Sequence, residues 1–350
     1  MIFITFIICL LAVILITPLV KTLAIKIGAT DKPNHRKVHQ KLMPRLGGLA
    51  IYVGFLVGVI FLRPESPFLL PILIGGSMIV IVGILDDLFE LAAKWKLVVQ
   101  IVAASIVIGG GVHVEFINLP FDGRLELGWY GIPLTLVWIV GVTNAINLID
   151  GLDGLAAGVS SIVLLTLSGI AYMMGNFFVV ALGVILLGST LGFLVYNFYP
   201  AEIFMGDTGA LFLGFIISVI ALLGFKNVTL FSLLIPVIIL GVPISDTLFA
   251  IIRRFVNKLP LTEPDNAHLH HCLLRLGFSH RQTVLVIYAL SLLFGLGAIV
   301  LTQSTLWGTF IIVALFIIAV ELMVEIVGLV NTTYKPMLKF LRRLGAVRKV

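Results

Sequence analysis

Eleven apolar runs, each close to the thickness of a bilayer's hydrocarbon core, follow one another along this chain. They lie at approximately 2–20, 46–62, 68–85, 97–112, 132–149, 155–174, 176–197, 210–225, 229–252, 283–303 and 307–330. Runs of about 20 apolar residues read as membrane-spanning helices. The shorter ones, 46–62, 97–112 and 210–225, predict spans with little tilt. Composition agrees: 60% of the 350 residues are hydrophobic and 11% are charged, against about 25% charged in an average globular chain. A secreted scaffold, a disordered chain and an ordinary cytosolic enzyme are excluded. Cys9 and Cys272 offer no disulfide framework. With no internal repeat, low-complexity segment or soluble domain, residues 1–350 read as one all-α integral membrane domain, a polytopic helical bundle of about eleven transmembrane helices.

Basic residues orient the bundle. If eleven spans alternate, 20 of the 23 Lys and Arg fall on one side, in 21–45, 86–96, 253–282 and 331–350, and only Arg63, Arg124 and Lys226 on the other. The rich side is cytoplasmic, so the N-terminus is outside and the C-terminus inside. The high pI therefore points to anionic membrane lipid and not to nucleic acid. The first run lacks a basic stretch before it and is followed by Lys21 and Lys26, as expected of a retained span and not a cleaved signal. Ten carboxylates and six of seven histidines share the cytoplasmic side, while the outer stretch 113–131 (Asn118, Pro120, Asp122, Gly123) reads as a small hairpin. Chemistry is expected on the cytoplasmic face of the cell membrane.

Four elements carry it. Asp86-Asp87 closes the third run, with Glu90 following. On a continuing helix Asp86 and Glu90 share a face and Asp87 points about 100° away. Adjacent acids at a helix C-terminus oppose the macrodipole and repel each other unless a cation or a phosphate-bound metal lies between them; the plain alternative is a solvated helix end. Asn144, Asn147, Asp150 and Asp153 then recur every third residue, with Gly151 and Gly154 letting the backbone approach a ligand. They form no EF-hand pattern; the alternative is interhelical glue and turn residues. Asp207 precedes an apolar run and suits a helix N-cap, a ligand of a divalent cation, or both. Few hard oxygens suit Mg²⁺, which takes further ligands from substrate phosphates.

The fourth is His268-Leu269-His270-His271-Cys272, in a loop with Arg253, Arg254, Lys258, Arg275 and Arg281. The spacing fits no standard zinc site, and a basic histidine loop facing acids suits phosphate oxygens. In the first cytoplasmic loop Lys37, His39 and Arg45 can reach a cavity, Arg45 most readily beside Gly47-Gly48. Asp246, Glu321 and Glu325 lie within spans near the cytoplasmic end, where interfacial Arg or Lys can pair with them. Acids, amides and a basic loop on one face of an apolar bundle suit phosphoryl transfer between a soluble donor and a lipid acceptor. A transporter would instead carry ionisable groups at the midplane and reach both sides.

Asp86-Asp87, the block Asn144 to Leu155, Phe204-Met205-Gly206-Asp207-Thr208-Gly209 and His268-Leu269-His270-His271 resemble, in order and place, the polyprenyl-phosphate N-acetylhexosamine-1-phosphate transferase family. The resemblance covers nearly the whole chain. It is strongest to bacterial members that transfer N-acetylglucosamine-1-phosphate from UDP-GlcNAc to undecaprenyl phosphate, release UMP, use Mg²⁺ or Mn²⁺, and begin wall teichoic acid or related surface glycans. It implies that Asp207 ligates the metal with Asn147 nearby, and that Asp86 or Asp87 deprotonates the acceptor or helps hold the metal. By the same likeness, Asp150 and Asp153 are nucleotide-side acids, Asn197 meets uridine, and His268, His270 and His271 touch diphosphate. Arg45, Asn144 and Arg275 complete the expected substrate-binding set. Relatives also allow a homodimer. Muramyl-pentapeptide transferases carry three consecutive histidines and a lysine after the paired acids. Here Leu269 and Glu90 stand at those places, which favours the simple amino-sugar donor.

Overall fold

The computed structural model describes residues 1–31, 43–118, 123–225, 230–258, 267–328, 335–337 and 339. Its helices are α1 (Ile2–Ile27), α2 (Gly47–Leu62), α3 (Leu69–Phe89), α4 (Ala93–Gly109), α5 (Gly131–Leu148), α6 (Leu155–Met173) and α7 (Phe177–Asn197). There follow α8 (Gly206–Phe225), α9 (Leu230–Ile239), α10 (Gly241–Val256), α11 (Leu269–Arg275), α12 (His280–Thr302) and α13 (Leu306–Val327). Two short antiparallel pairs complete the described chain: β1 (Thr30–Asp31) on β2 (Met43–Pro44), and β3 (Phe116–Asn118) on β4 (Arg124–Glu126). The second pair is the small hairpin expected from Gly and Pro within 113–131; Pro120 and Asp122 lie outside the described residues.

Each apolar run is mainly helical over its described residues, yet eight helices among the described residues are long and apolar enough to cross a membrane: α1, α3, α5 with the turn before it, α6, α7, α8, α12 and α13. This is an all-α integral membrane protein. Helices α2 and α4 have 16 and 17 residues. The expected ninth span is two helices, because Pro243 lacks the N–H that would bond back one turn and its ring crowds the preceding turn. Consequently α9 ends at Ile239 and α10 starts afresh at Gly241, packing on α5 and α12.

Helix α8 is the centre, surrounded by α2, α3, α5, α6, α7 and α9. Its Phe212 and Phe215 are fully buried, and Phe212 meets Tyr52 and Phe55 edge-to-face at 5.3 and 5.4 Å, a favoured aromatic geometry. Peripheral α1 exposes Phe3, Leu11, Leu15 and Leu19, and α13 exposes Phe310, Ile311, Leu315 and Ile317. Apolar faces this large on both flanks of a bundle match hydrocarbon surroundings.

Candidate active site

The site forms where α8 begins. Backbone bonds zip residues 44–48 to 204–205: Phe204 N–H donates to Pro44 O (2.8 Å), Gly47 N–H to Phe204 O (2.9 Å) and Gly48 N–H to Met205 O (2.8 Å). The pair β1–β2 brings the chain to this zipper and leaves Arg45 beside the start of α8. Gly206 then turns with φ of 69°, a left-handed value, and any Cβ there would strike Arg45 O and the Asp87 carboxylate. Only glycine suits both demands.

Asp87, at the end of α3, caps α8 from another helix. Its Oδ1 accepts from Asp207 N–H (3.0 Å) and its Oδ2 from Thr208 N–H (3.1 Å) and Thr208 Oγ1 (2.7 Å). Arg45 Nη2 stands 3.7 Å from Oδ1. A carboxylate here satisfies orphan N–H groups and meets the positive end of the helix dipole. Asp207 is therefore not the N-cap that its position before an apolar run suggests. It lies in the first turn, its side chain free to face Lys96 Nζ at 2.7 Å and Asn147 Nδ2 at 3.1 Å. The same ammonium lies 3.3 Å from Asp86 Oδ2. Helix α3 stops at Phe89, with Glu90 left-handed (φ 52°), so the shared face expected for Asp86 and Glu90 does not form. The cations between the acids are Lys96 and Arg45, and Lys96 is a site residue that loop charge counting alone does not reveal. Its signal is a lysine ten residues after Asp86, at the start of an apolar helix.

A cavity of about 360 Å³ opens beside these groups, lined by Arg45, Asn147, Asp150, Asp153, Asn197, Asp207 and His271 among others. Asp150 lies in the α5–α6 turn, where burial, then the charges of Asp207 and Asp87, push its carboxyl up to about 8. Asp153 accepts from Ala201 N–H through Oδ2 (3.0 Å). Asn197 lines the cavity with its amide already engaged: Oδ1 accepts from Gly154 N–H (3.1 Å) and Nδ2 donates to Ile203 O (2.9 Å).

Four expected substrate groups, Asn144, Arg275, His268 and His270, lie outside the cavity lining. Asn144 donates to Gln100 Oε1 (2.6 Å) and Val140 O (2.8 Å), an interhelical tie outside the cavity lining. Arg275 is exposed and donates to Cys272 Sγ (2.8 Å). His270 is buried against Gly151, where a Cβ would collide with its Nε2, and that nitrogen has no hydrogen-bond partner. Burial, then neighbouring His271, push His270 down to about 3, so its ring is neutral. Of the three motif histidines His271 alone lines the cavity; its ring lies 4.2 Å from that of His270. His268 Nδ1 meets Asp246 Oδ2 at 2.9 Å, so the partner of Asp246 is a histidine of the motif and not an interfacial Arg or Lys. Glu325 accepts from Met337 N–H. Lys37 and His39 lie outside the described residues.

Among the described residues no three His, Cys, Asp or Glu side chains converge as a metal cluster. A magnesium ion asks for less, one or two carboxylates with water and substrate phosphate. Asp207 and Asp86, hard-oxygen donors sharing one cation, fit that demand.

Residues 69–225 match the family described as Glycosyl transferase family 4. The chain is 51% identical over 345 residues to a probable undecaprenyl-phosphate N-acetylglucosaminyl 1-phosphate transferase of Bacillus subtilis, covering 97% of this chain and 96% of the relative. The chain belongs to this glycosyl transferase family, as the four motifs implied. A decaprenyl-phosphate N-acetylglucosaminephosphotransferase of Mycobacterium tuberculosis is 36% identical over 77% of this chain and 74% of its own length. An undecaprenyl-phosphate alpha-N-acetylglucosaminyl 1-phosphate transferase of Salmonella typhi is 30% identical over 80% and 78%.

Proposed function

We propose that the protein transfers N-acetylglucosamine-1-phosphate from UDP-GlcNAc to undecaprenyl phosphate on the cytoplasmic face of the bacterial cell membrane, releasing UMP. The supporting observation is a cavity lined by Asp150, Asp207, Arg45 and His271, whose Asp207 is joined through Lys96 to Asp86, at the polar end of an apolar bundle. The names of the relatives supply the donor and acceptor chemistry. In the reaction, an acceptor phosphate oxygen bonds to the sugar-bearing phosphorus, and the bond from that phosphorus to the bridging oxygen breaks, its electron pair leaving with UMP.

Positioning and charge stabilisation dominate such transfers. Arg45 and Lys96 bring positive charge to the phosphates, and His271 offers a ring nitrogen at the cavity wall. Asp150, carrying its proton in the free cavity, can donate a hydrogen bond to the nucleotide. Asp153 and Asn197 keep the wall in shape through their backbone bonds. Mg²⁺, held by Asp207 with Asp86 or Asn147 beside it, would supply neutralisation of diphosphate charge. Eleven passes, counting α9–α10 as one, with the N-terminus outside and the C-terminus inside, put the 20-to-3 charge imbalance on the cytoplasmic side. We assign the product to the first membrane step of teichoic acid or related surface-glycan synthesis.

The test incubates purified protein with undecaprenyl phosphate, Mg²⁺ and a panel of UDP-sugars. UMP release and a lipid-linked product with UDP-GlcNAc are expected. Absence of both with every donor would overturn the reading.

A further inference from the structure

Asp246 lies in α10, the helix that Pro243 starts anew, and is 2% exposed. Both of its oxygens are committed to α11: Oδ2 to His268 Nδ1 at 2.9 Å, and Oδ1 to Leu269 N–H at 2.7 Å. His268 is the N-cap residue of α11, and its own side chain makes no cap bond. The cap is again supplied from another helix, as Asp87 does for α8. A carboxylate only accepts, so the proton of the His268 ring is held on Nδ1 and Nε2 remains the free ring nitrogen. The ring of His268 lies parallel to that of His270 at 6.0 Å, and His270 is wedged against Gly151 of the turn that carries Asp150. The chain Asp246–His268–His270–His271 thus runs from a buried carboxylate of α10 to the cavity wall.

We infer that Asp246 is a positioning residue of the transfer reaction, fixing the Nδ1–H form of His268 and seating α11 so that His271 faces the cavity. The inference rests on the transferase reading above. It makes the histidine motif a braced unit, in which only the last ring needs to meet substrate.

The discriminating variant is Asp246→Asn. Its amide oxygen can still accept from Leu269 N–H, so α11 keeps its cap. Its NH₂ must donate to His268 Nδ1, which forces the proton to Nε2. A group that only caps the helix would tolerate the exchange; one that sets the tautomer would not. We expect kcat to fall about tenfold or more with KM for UDP-GlcNAc within about twofold, and Asp246→Glu to recover part of the loss. In a His268→Ala background Asp246→Asn should cost nothing further.

The ¹⁵N shifts of the His268 ring nitrogens, assigned by their loss in His268→Gln, read the tautomer without any turnover. Protonated Nδ1 is expected in the wild type and protonated Nε2 in Asp246→Asn. A wild-type enzyme inactive toward every donor overturns the transferase reading. An active wild type with neutral His268 protonated on Nε2, a fully active Asp246→Asn, or additive losses in the double variant overturns the positioning role alone.

Discussion

Two sets of carboxylates do opposite things. Asp87, Asp153 and Asp246 each hold a backbone N–H of another segment, Asp87 through both oxygens and the other two through one. Asp86 and Asp207 face the Lys96 ammonium, and Asp150 lines the cavity. The first set builds the walls and the second meets charge. The difference teaches that acids in an apolar bundle are not all chemistry. A helix that starts inside a membrane protein has N–H groups with nowhere to turn, and a distant carboxylate is one solution.

The comparison can be broken by substitution. The largest effect is expected at Asp207→Asn, which should lower UMP release by about 100-fold or more while the melting temperature in detergent stays near wild type; retained activity would remove Asp207 from the reacting side. Next is Lys96→Met, with a loss of about 10-fold or more in kcat/KM, read in the same assay. Asp87→Asn should differ in kind. It weakens charge-assisted bonds to α8 and should cost about 1–3 kcal/mol of stability, measured by thermal unfolding, and its activity loss should follow from the displaced start of α8. An unchanged melting point with abolished turnover would place Asp87 in the second set.

A smaller effect concerns the amide pair. Asn144→Leu alone leaves Gln100 buried without its partner and should cost about 1–3 kcal/mol, whereas the double change with Gln100→Leu should restore most of it. The last is a slope in pH. A carboxyl raised from 3.8 to about 8 keeps a proton that the unfolded chain has lost. Stability should therefore fall as pH climbs from about 4 to about 8 in metal-free detergent, and Asp150→Asn should flatten that slope.

The helices were legible because bilayer length and apolar run length are the same constraint. Ten of the eleven runs map to one helix each, and Pro243 explains the eleventh. The motifs were legible as places, since Arg45, Asn147, Asp150, Asp153, Asn197, Asp207 and His271 meet at one cavity. What each side chain does there was not. Asn144 and Asn147 differ by one helical turn, yet one ties two helices and the other faces Asp207. Lys96 was hidden because a lysine in a short loop satisfies the charge rule for topology before any other meaning is needed. The role of Asp246 was not legible because its partners, 22 and 23 residues away, belong to another helix.

The burial of α8 has one further consequence. Rate depends steeply on where reacting groups stand, and misplacement by an ångström is costly. Most enzymes fix that position with loops laid over a scaffold. Here the carboxylate proposed to meet the metal rides on the first turn of the most enclosed helix in the bundle, so its thermal wandering is that of the core itself.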